Sequence, residues 1–166
     1  MGWLAGKTAR LVGESPAIAA ALTAQGAVLV SEGDCDVLVH VVPAPADIPA
    51  HEIAFEQWRA TLDAGLDQRF LLAKDFAAAR RAAGKGGAVV FVGAPEQALG
   101  ADQAAAGGGL GNLTKTLGVE WARDGIRVNT VQTHERGKTL GNLVAYLASD
   151  YAAYVTGAVM GVGLDD

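Results

Sequence analysis

Apolar residues recur at steps of three and four along segment 110–121 and predict a helix with one apolar face. The positions that share this face are Leu110, Leu113, Leu117 and Trp121. Asp124 and Gly125 supply a helix stop and a turn. The β-branched residues of segment 126–131 then predict a short buried strand. A helix that leads through a tight turn into a strand is half of an α/β crossover unit.

Apolar runs and helical patterns alternate along the rest of the chain. Short apolar runs predict further strands at 9–12, 27–30, 36–42, 88–92 and 154–161. Helices are predicted at 17–25, after a Ser15 cap and Pro16, across 55–83 and at 140–148. The Gly- and Ala-rich residues 93–109 are expected to form a loop, with the triple glycine 107–109 as a hinge. The long helical region is marked by Phe55, Trp58, Leu62, Leu66, Phe70 and Phe76.

Near-continuous apolar strands are typical of a parallel sheet that is covered by helices on both faces. The predicted fold class is therefore α/β, with a Rossmann-like doubly wound parallel sheet of about six strands. A chain of 166 residues is long enough to bury one proper core. We expect a single domain over residues 1–166.

Composition narrows the classes of partner. A net charge of −5 without a Lys/Arg cluster argues against nucleic acid. No stretch of 18 apolar residues and no signal-peptide pattern occurs, so no membrane association is expected. The single cysteine, Cys35, excludes an internal disulfide and fits a reducing cytoplasm. We expect a cytoplasmic protein.

Four segments together resemble the short-chain dehydrogenase/reductase family, whose members transfer hydride with a nicotinamide dinucleotide. They are LAGKTARLVG, DVLV, LTKTLGVEWARDGIRVNTV and LASDYAAYVTGAVMGV. The resemblance implies a Rossmann-like fold, but two parts of the family pattern are shortened. Five residues separate Val30 from Asp36, too few for a right-handed crossover helix. The segment after Thr133 that would form a lid over the substrate is cut to a few residues. The sheet edge that would hold adenine must therefore be remodelled or shortened.

The resemblance also locates a cofactor loop after the first strand, where the family has a TGxxxGxG pattern. Here Gly13 survives, whereas Ala17 and Ala19 occupy the other glycine positions and Glu14 adds negative charge. Segment 40–43, HVVP, replaces the family's NNAG. We expect no dinucleotide cofactor in this chain, with Gly13, Ala17 and Ala19 as remnants of the loop.

The catalytic positions that the resemblance implies have also lost their functional groups. Gln103 stands at the position of the family's Tyr and Gly107 at that of its Lys. Gly93 stands in place of the Ser and Gly65 in place of the Asn. Glutamine does not exchange protons near neutral pH, and glycine offers no side chain. We expect no catalytic residue at these four positions.

Other candidate groups give weaker signals. His40 lies in an apolar strand and is interpreted as a core residue with its hydrogen bonds made, whereas His51 and His134 are interpreted as surface loop residues. Segment 34–36, DCD, is too short to indicate a metal site. We predict no metal ligands.

The best-preserved parts of the family pattern are those that form oligomer surfaces in the family, here about 53–83, 110–123 and 140–162. We therefore predict a non-catalytic pseudoenzyme subunit in a hetero-oligomer, as a tetramer, with a full-length active dehydrogenase that carries NAD(P). The degeneration resembles the inactive subunit of a heteromeric family member, such as one of the hydroxy(phenyl)methylsuccinyl-CoA dehydrogenase type. One alternative is a minimal NAD(P)-dependent oxidoreductase that acts on an alcohol, a ketone or a hydroxyacyl-CoA. The other is a small-molecule binding module that uses the remnant crevice.

Overall fold

Six parallel strands form one sheet in the order β2-β1-β3-β4-β5-β6 in the computed structural model, which describes residues 2–93 and 100–163. The described strands are β1 (Thr8–Val12), β2 (Val28–Leu29), β3 (Val37–Val41), β4 (Gly87–Gly93), β5 (Ile126–Thr133) and β6 (Val159–Val162). The described α-helices are α1 (Pro16–Ala24), α2 (Phe55–Leu62), α3 (Gln68–Ala82), α4 (Ala101–Glu120) and α5 (Lys138–Ala148). The predicted doubly wound α/β fold is confirmed.

The two faces of the sheet are covered by different helices because strand side chains alternate between the faces. Val37, Val39 and Val90 pack in a core cluster with residues of α1 and α5. Leu38 and Phe91 pack in a second cluster with residues of α3 and α4. Helices therefore lie on both faces, as the apolar strands predict.

The end of the sheet formed by β2 is shortened, as the spacing between Val30 and Asp36 predicts. β2 has two residues instead of four, and Leu29 lies opposite Ala9, as Val37 does from the other side of β1. Because β2 ends at the level where β3 begins, the connection crosses β1 without travelling back along the strands. Few residues are needed for such a connection, so no crossover helix is required.

The predicted loop 93–109 is wrong for residues 101–109, which form the first half of α4. Glycine in a helix interior costs about 1 kcal/mol relative to alanine, which is why this segment favours a loop on propensity alone. Tertiary packing overrides this preference. A Cβ on Gly109 would lie 3.0 Å from a Leu66 methyl group, and a Cβ on Gly65 would lie 3.0 Å from that of Ala106. The small residues therefore let α4 approach segment 63–67 closely.

Two other elements differ from their predicted form. The long helical region contains a π-helical turn, Asp63–Asp67, between α2 and α3. The last strand begins at Val159 instead of residue 154. The Asn129 amide donates to Val155 O and accepts from Ala158 N, and Thr156 Oγ1 accepts from Val128 N. These side-chain bonds hold 154–158 in a turn, where Gly157 has φ +71°.

Candidate functional site

The four degenerate catalytic positions lie together around one cavity of about 340 Å³. The π-helical turn contributes Gly65, and the end of β4 contributes Gly93. Gln103 and Gly107 are four residues apart on α4 and so share a helix face. The cavity opens at the carboxyl ends of the strands, where ligands bind in open α/β sheets. Its other walls are mostly apolar and include Val42, Pro43, Ala60, Ala64, Ala106 and Leu110.

Gln103 is the largest of the four residues and is 6% exposed. Its amide nitrogen donates to Pro45 O at 3.2 Å. Its carbonyl oxygen, Oε1, is buried and has no hydrogen-bond partner among the described residues. The amide is an acceptor in this cavity and not a proton-transfer group.

Arg69 also lines the cavity, and the sequence analysis missed it. Its side chain is 2% exposed and comes from the first turn of α3. Nη1 donates to His40 O at 3.3 Å and Nη2 donates to Val92 O at 2.8 Å. The guanidinium lies over the Phe91 ring, 5.7 Å from its centroid, and Nε has no partner among the described residues.

Arg69 carries its charge without a carboxylate partner in the described part of the chain. Burial lowers the pKa of its guanidinium to about 9, which still leaves a cation at neutral pH. A helical count would have found the residue. Arg69 falls on the stripe with Ala73 and Phe76, whereas Phe55 and Phe70 of the predicted stripe are exposed.

His40 is buried, as expected of a core residue, but the expectation that its hydrogen bonds are made is wrong. The side chain is 4% exposed, and Nδ1 has no partner within residues 2–93 and 100–163. Burial, with the nearby Arg69 charge, lowers the pKa of His40 to about 4. The imidazole is therefore neutral at neutral pH.

The remnant cofactor loop borders a second cavity of about 450 Å³ that shares Pro43 and Gly93 with the first. Gly13 has φ +88°, and a Cβ there would collide with Val41 O. The loop therefore requires a glycine at this position for steric reasons alone.

The N-terminus of α1, after this loop, is closed by its own side chains. Ser15 Oγ accepts from Ile18 N at 3.4 Å, and Pro16 has no N–H to offer. Ala17 and Ala19 lie in the first two turns of α1, and Glu14 is exposed at the second cavity. Two of the N–H positions at this helix start are therefore unavailable to a pyrophosphate, and Glu14 would place negative charge beside it.

The remaining candidate residues lie outside the first cavity. His51 is in an exposed 3₁₀ turn, and His134 is exposed beside the second cavity. Asp34 and Asp36 both accept hydrogen bonds from Arg80. Burial raises the pKa of the Cys35 thiol, which disfavours a nucleophilic thiolate. No group of metal-ligating side chains is found in the described residues.

The connection after Thr133 is short, since α5 begins at Lys138. Thr133 Oγ1 accepts from Glu135 N at 2.8 Å, and Glu135 accepts in turn from Gly137 N at 2.5 Å. This compact turn stands where the family has its lid. Within the described parts of the chain, no helix has the length and apolarity to cross a membrane.

Comparison with known proteins identifies the family. The family model for enoyl-(acyl carrier protein) reductase matches residues 14–135. The chain belongs to the short-chain dehydrogenase/reductase family. It is similar to the short-chain type dehydrogenase/reductase from Mycobacterium marinum, with a TM-score of 0.87 and 19% identity, over 96% of this chain and 94% of that chain.

Two curated relatives match most of this chain. Cis-4-hydroxycyclohexanecarboxylate dehydrogenase of Sinomonas cyclohexanicum is 31% identical, over 78% of this chain and 65% of its own length. The (2S)-[(R)-hydroxy(phenyl)methyl]succinyl-CoA dehydrogenase subunit BbsC of Thauera aromatica is 34% identical, over 77% of this chain and 61% of its own length. The chain thus spans less than two thirds of the length of these relatives.

Proposed function

We propose that this chain is a non-catalytic pseudoenzyme subunit that assembles in the cytoplasm with an active NAD(P)-dependent short-chain alcohol dehydrogenase and stabilises it. The observation that carries the proposal is the cavity at the strand ends. Gly65, Gly93, Gln103 and Gly107 all line it, and none of them can hold or move a proton near neutral pH. This combination supports a chain that keeps the family's fold but does not itself carry out the reaction.

The cofactor loop supports the same proposal. At the N-terminus of α1, Pro16 offers no N–H group and Ser15 occupies that of Ile18, so a pyrophosphate would find fewer donors there. In the proposed complex the partner supplies the dinucleotide. We derive no hydride-transfer step in this chain.

An exposed apolar surface on α3 and α4 supports a partner. Phe70 is 41% exposed, Leu71 50% and Val119 78%. A groove of about 550 Å³ between the helices is lined by Leu66, Phe70, Leu71 and Leu113. Exposed apolar side chains that border a groove, as Phe70 and Leu71 do here, are typical of a protein interface. The name of the BbsC relative, a dehydrogenase subunit, is consistent with an assembly of this type.

The test is affinity purification of the chain from its native host, followed by size-exclusion chromatography and mass spectrometry. The expected result is a second, full-length short-chain dehydrogenase in fixed ratio. Leu71→Glu combined with Val119→Glu should abolish this co-purification, because two charges would be buried in the interface. Val28→Glu, at an exposed position of the β2 edge, is the matched control and should leave the ratio unchanged. A lone homo-oligomer that binds NAD(H) would contradict the proposal.

A further inference from the structure

The cavity that lacks catalytic groups contains a buried charge that the proposed function does not use. Arg69 is 2% exposed, and its polar contacts among the described residues are two carbonyl oxygens and the Phe91 ring. Buried charges in proteins are normally paired, because desolvation of an unpaired ion is costly. Arg80 on the same helix follows this rule, with two carboxylates and two carbonyls.

The geometry leaves the guanidinium with capacity to bind. A guanidinium has five N–H donors, and the two hydrogen bonds of Arg69 use two of them. Gly93 adds access from the cavity, since a Cβ at this position would lie 3.0 Å from Arg69 Nη2. Because residue 93 is glycine, this position places no side chain against the guanidinium.

A second donor lies in the wall of the same cavity. Gln132, near the end of β5, lines the cavity, and its Nε2 is buried without a partner among the described residues. The cation and this amide are donors that a carboxylate accepts from. The rest of the wall is mostly apolar, and about 340 Å³ is within the range of small-molecule sites.

We propose that this cavity binds a small carboxylate with an apolar body, and that Arg69 is its counter-ion. The ligand's carboxylate accepts from Arg69 and Gln132, and its body packs against Ala64, Ala106 and Leu110. The site uses residues of this chain only. The binding proposal therefore does not depend on whether a dehydrogenase partner exists.

The test is a titration followed by saturation-transfer NMR at neutral pH, with benzoate and its neutral isostere benzamide as probes. Binding of benzoate should be detected in a titration up to about 20 mM, because a ligand of this size binds weakly. Benzamide should bind at least about tenfold more weakly, since a charge-assisted hydrogen bond contributes that much. Equal binding of the two probes, or no binding of benzoate, would overturn the proposal.

Variants assign the binding to Arg69. Arg69→Met should weaken benzoate binding at least about tenfold, and Arg69→Lys should retain part of it. Lys74→Met, which removes an exposed cation from the same helix, is the matched control and should bind as the parent does. Unchanged binding in Arg69→Met would overturn the proposal. If the chain co-purifies with a partner, the comparison of variants still holds because the partner is common to all samples.

Two further variants keep the proposal falsifiable if Arg69→Met does not fold. Ala64→Leu reduces the cavity volume while Arg69 itself is kept, and should also weaken benzoate binding. Glu96 lies outside the described residues, and Glu96→Gln tests whether the chain supplies its own carboxylate. Unchanged binding in Glu96→Gln supports an external ligand, whereas a tenfold gain would overturn the proposal.

Discussion

The amino ends and the carboxyl ends of the strands, called here the amino edge and the carboxyl edge of the sheet, hold buried or part-buried arginines in opposite surroundings. At the amino edge, Arg80 bonds with Asp34 and Asp36, and Arg127 donates to four carbonyl oxygens around the end of α5. At the carboxyl edge, Arg69 meets two carbonyls and no carboxylate in the described chain. Within residues 2–93 and 100–163, the buried side-chain atoms without partners belong to Arg69, His40, Gln103 and Gln132.

This difference separates structural from functional use of polar groups. Satisfied buried groups stabilise and orient the elements that they join. Unsatisfied ones cost stability and persist where they are used for something else. The bonded groups of the amino edge therefore hold the fold together, whereas the unbonded groups of the carboxyl edge are those to which we assign binding.

The largest expected effect is at the amino edge. Arg127→Met should lower the free energy of unfolding by about 3–5 kcal/mol, because four carbonyls lose a charged donor at once. Urea denaturation measures this effect. Arg123→Met, at an exposed arginine just before β5, should change stability by less than about 0.5 kcal/mol. Similar losses of stability in the two variants would contradict a structural role for the arginines of the amino edge.

A pH effect of nearly this size is expected from His40 at the carboxyl edge. Its pKa in the folded protein is lowered from 6.5 to about 4, so the unfolded chain binds an extra proton between these values. The contribution of His40 to the free energy of unfolding is therefore fully present above pH 6.5. It is lost as the pH drops toward 4, by about 3 kcal/mol in total. His40→Phe should remove this slope in urea titrations, whereas His51→Phe, at an exposed site, should keep it.

Arg69→Met should have a smaller effect, within about 1 kcal/mol of the parent. The loss of two hydrogen bonds is offset by removal of an unpaired buried charge, and such replacements by apolar side chains are often neutral. Thermal and urea denaturation measure the change. A loss as large as that of Arg127→Met would mean that the two edges are equivalent, and that Arg69 is a structural residue.

The smallest expected effect is the acid sensitivity of Asp36. Burial by itself raises the pKa of this carboxyl, but hydrogen bonds from Thr8 and the charge of Arg80 together lower it below 3.8. Its contribution is therefore present above pH 3.8 and is lost as the pH falls through the lower folded value. Asp36→Asn should reduce the pH dependence of the free energy of unfolding in this acidic range only, as urea titrations at several pH values would measure. A change confined to the window of His40 would contradict the assignment.

Local patterns predicted the sheet and most helices because burial repeats with the period of each element. Val37, Leu38 and Val39 are apolar and buried, and so are Leu110, Leu117 and Trp121 of the predicted stripe. Leu113 of that stripe is partly buried. The same reasoning failed for residues 101–109. There the preference of glycine against helix is local, whereas the packing of Gly109 on Leu66 depends on a segment about 40 residues away.

The candidate site divides in the same way. The family resemblance pointed to four positions, and the fold brings them to one cavity. They are Gly65, Gly93, Gln103 and Gly107. What those residues do, and whether a partner supplies the chemistry, stays a prediction. Arg69 escaped notice because a charged residue on a helix is ordinarily exposed, and its spacing from Ala73 and Phe76 was the only local sign.

The sequence by itself determined the α/β class, the shortened edge at β2 and the residue types at positions 65, 93, 103 and 107, because these depend on residue type and on distance along the chain. Only the tertiary structure decided which polar groups are satisfied. Arg69, Arg80 and Arg127 are chemically the same residue, and each is distinguished by the carbonyls and carboxylates that distant segments bring to it. Hydrogen-bond partners are set by the meeting of segments in space, and no local pattern records which segments meet.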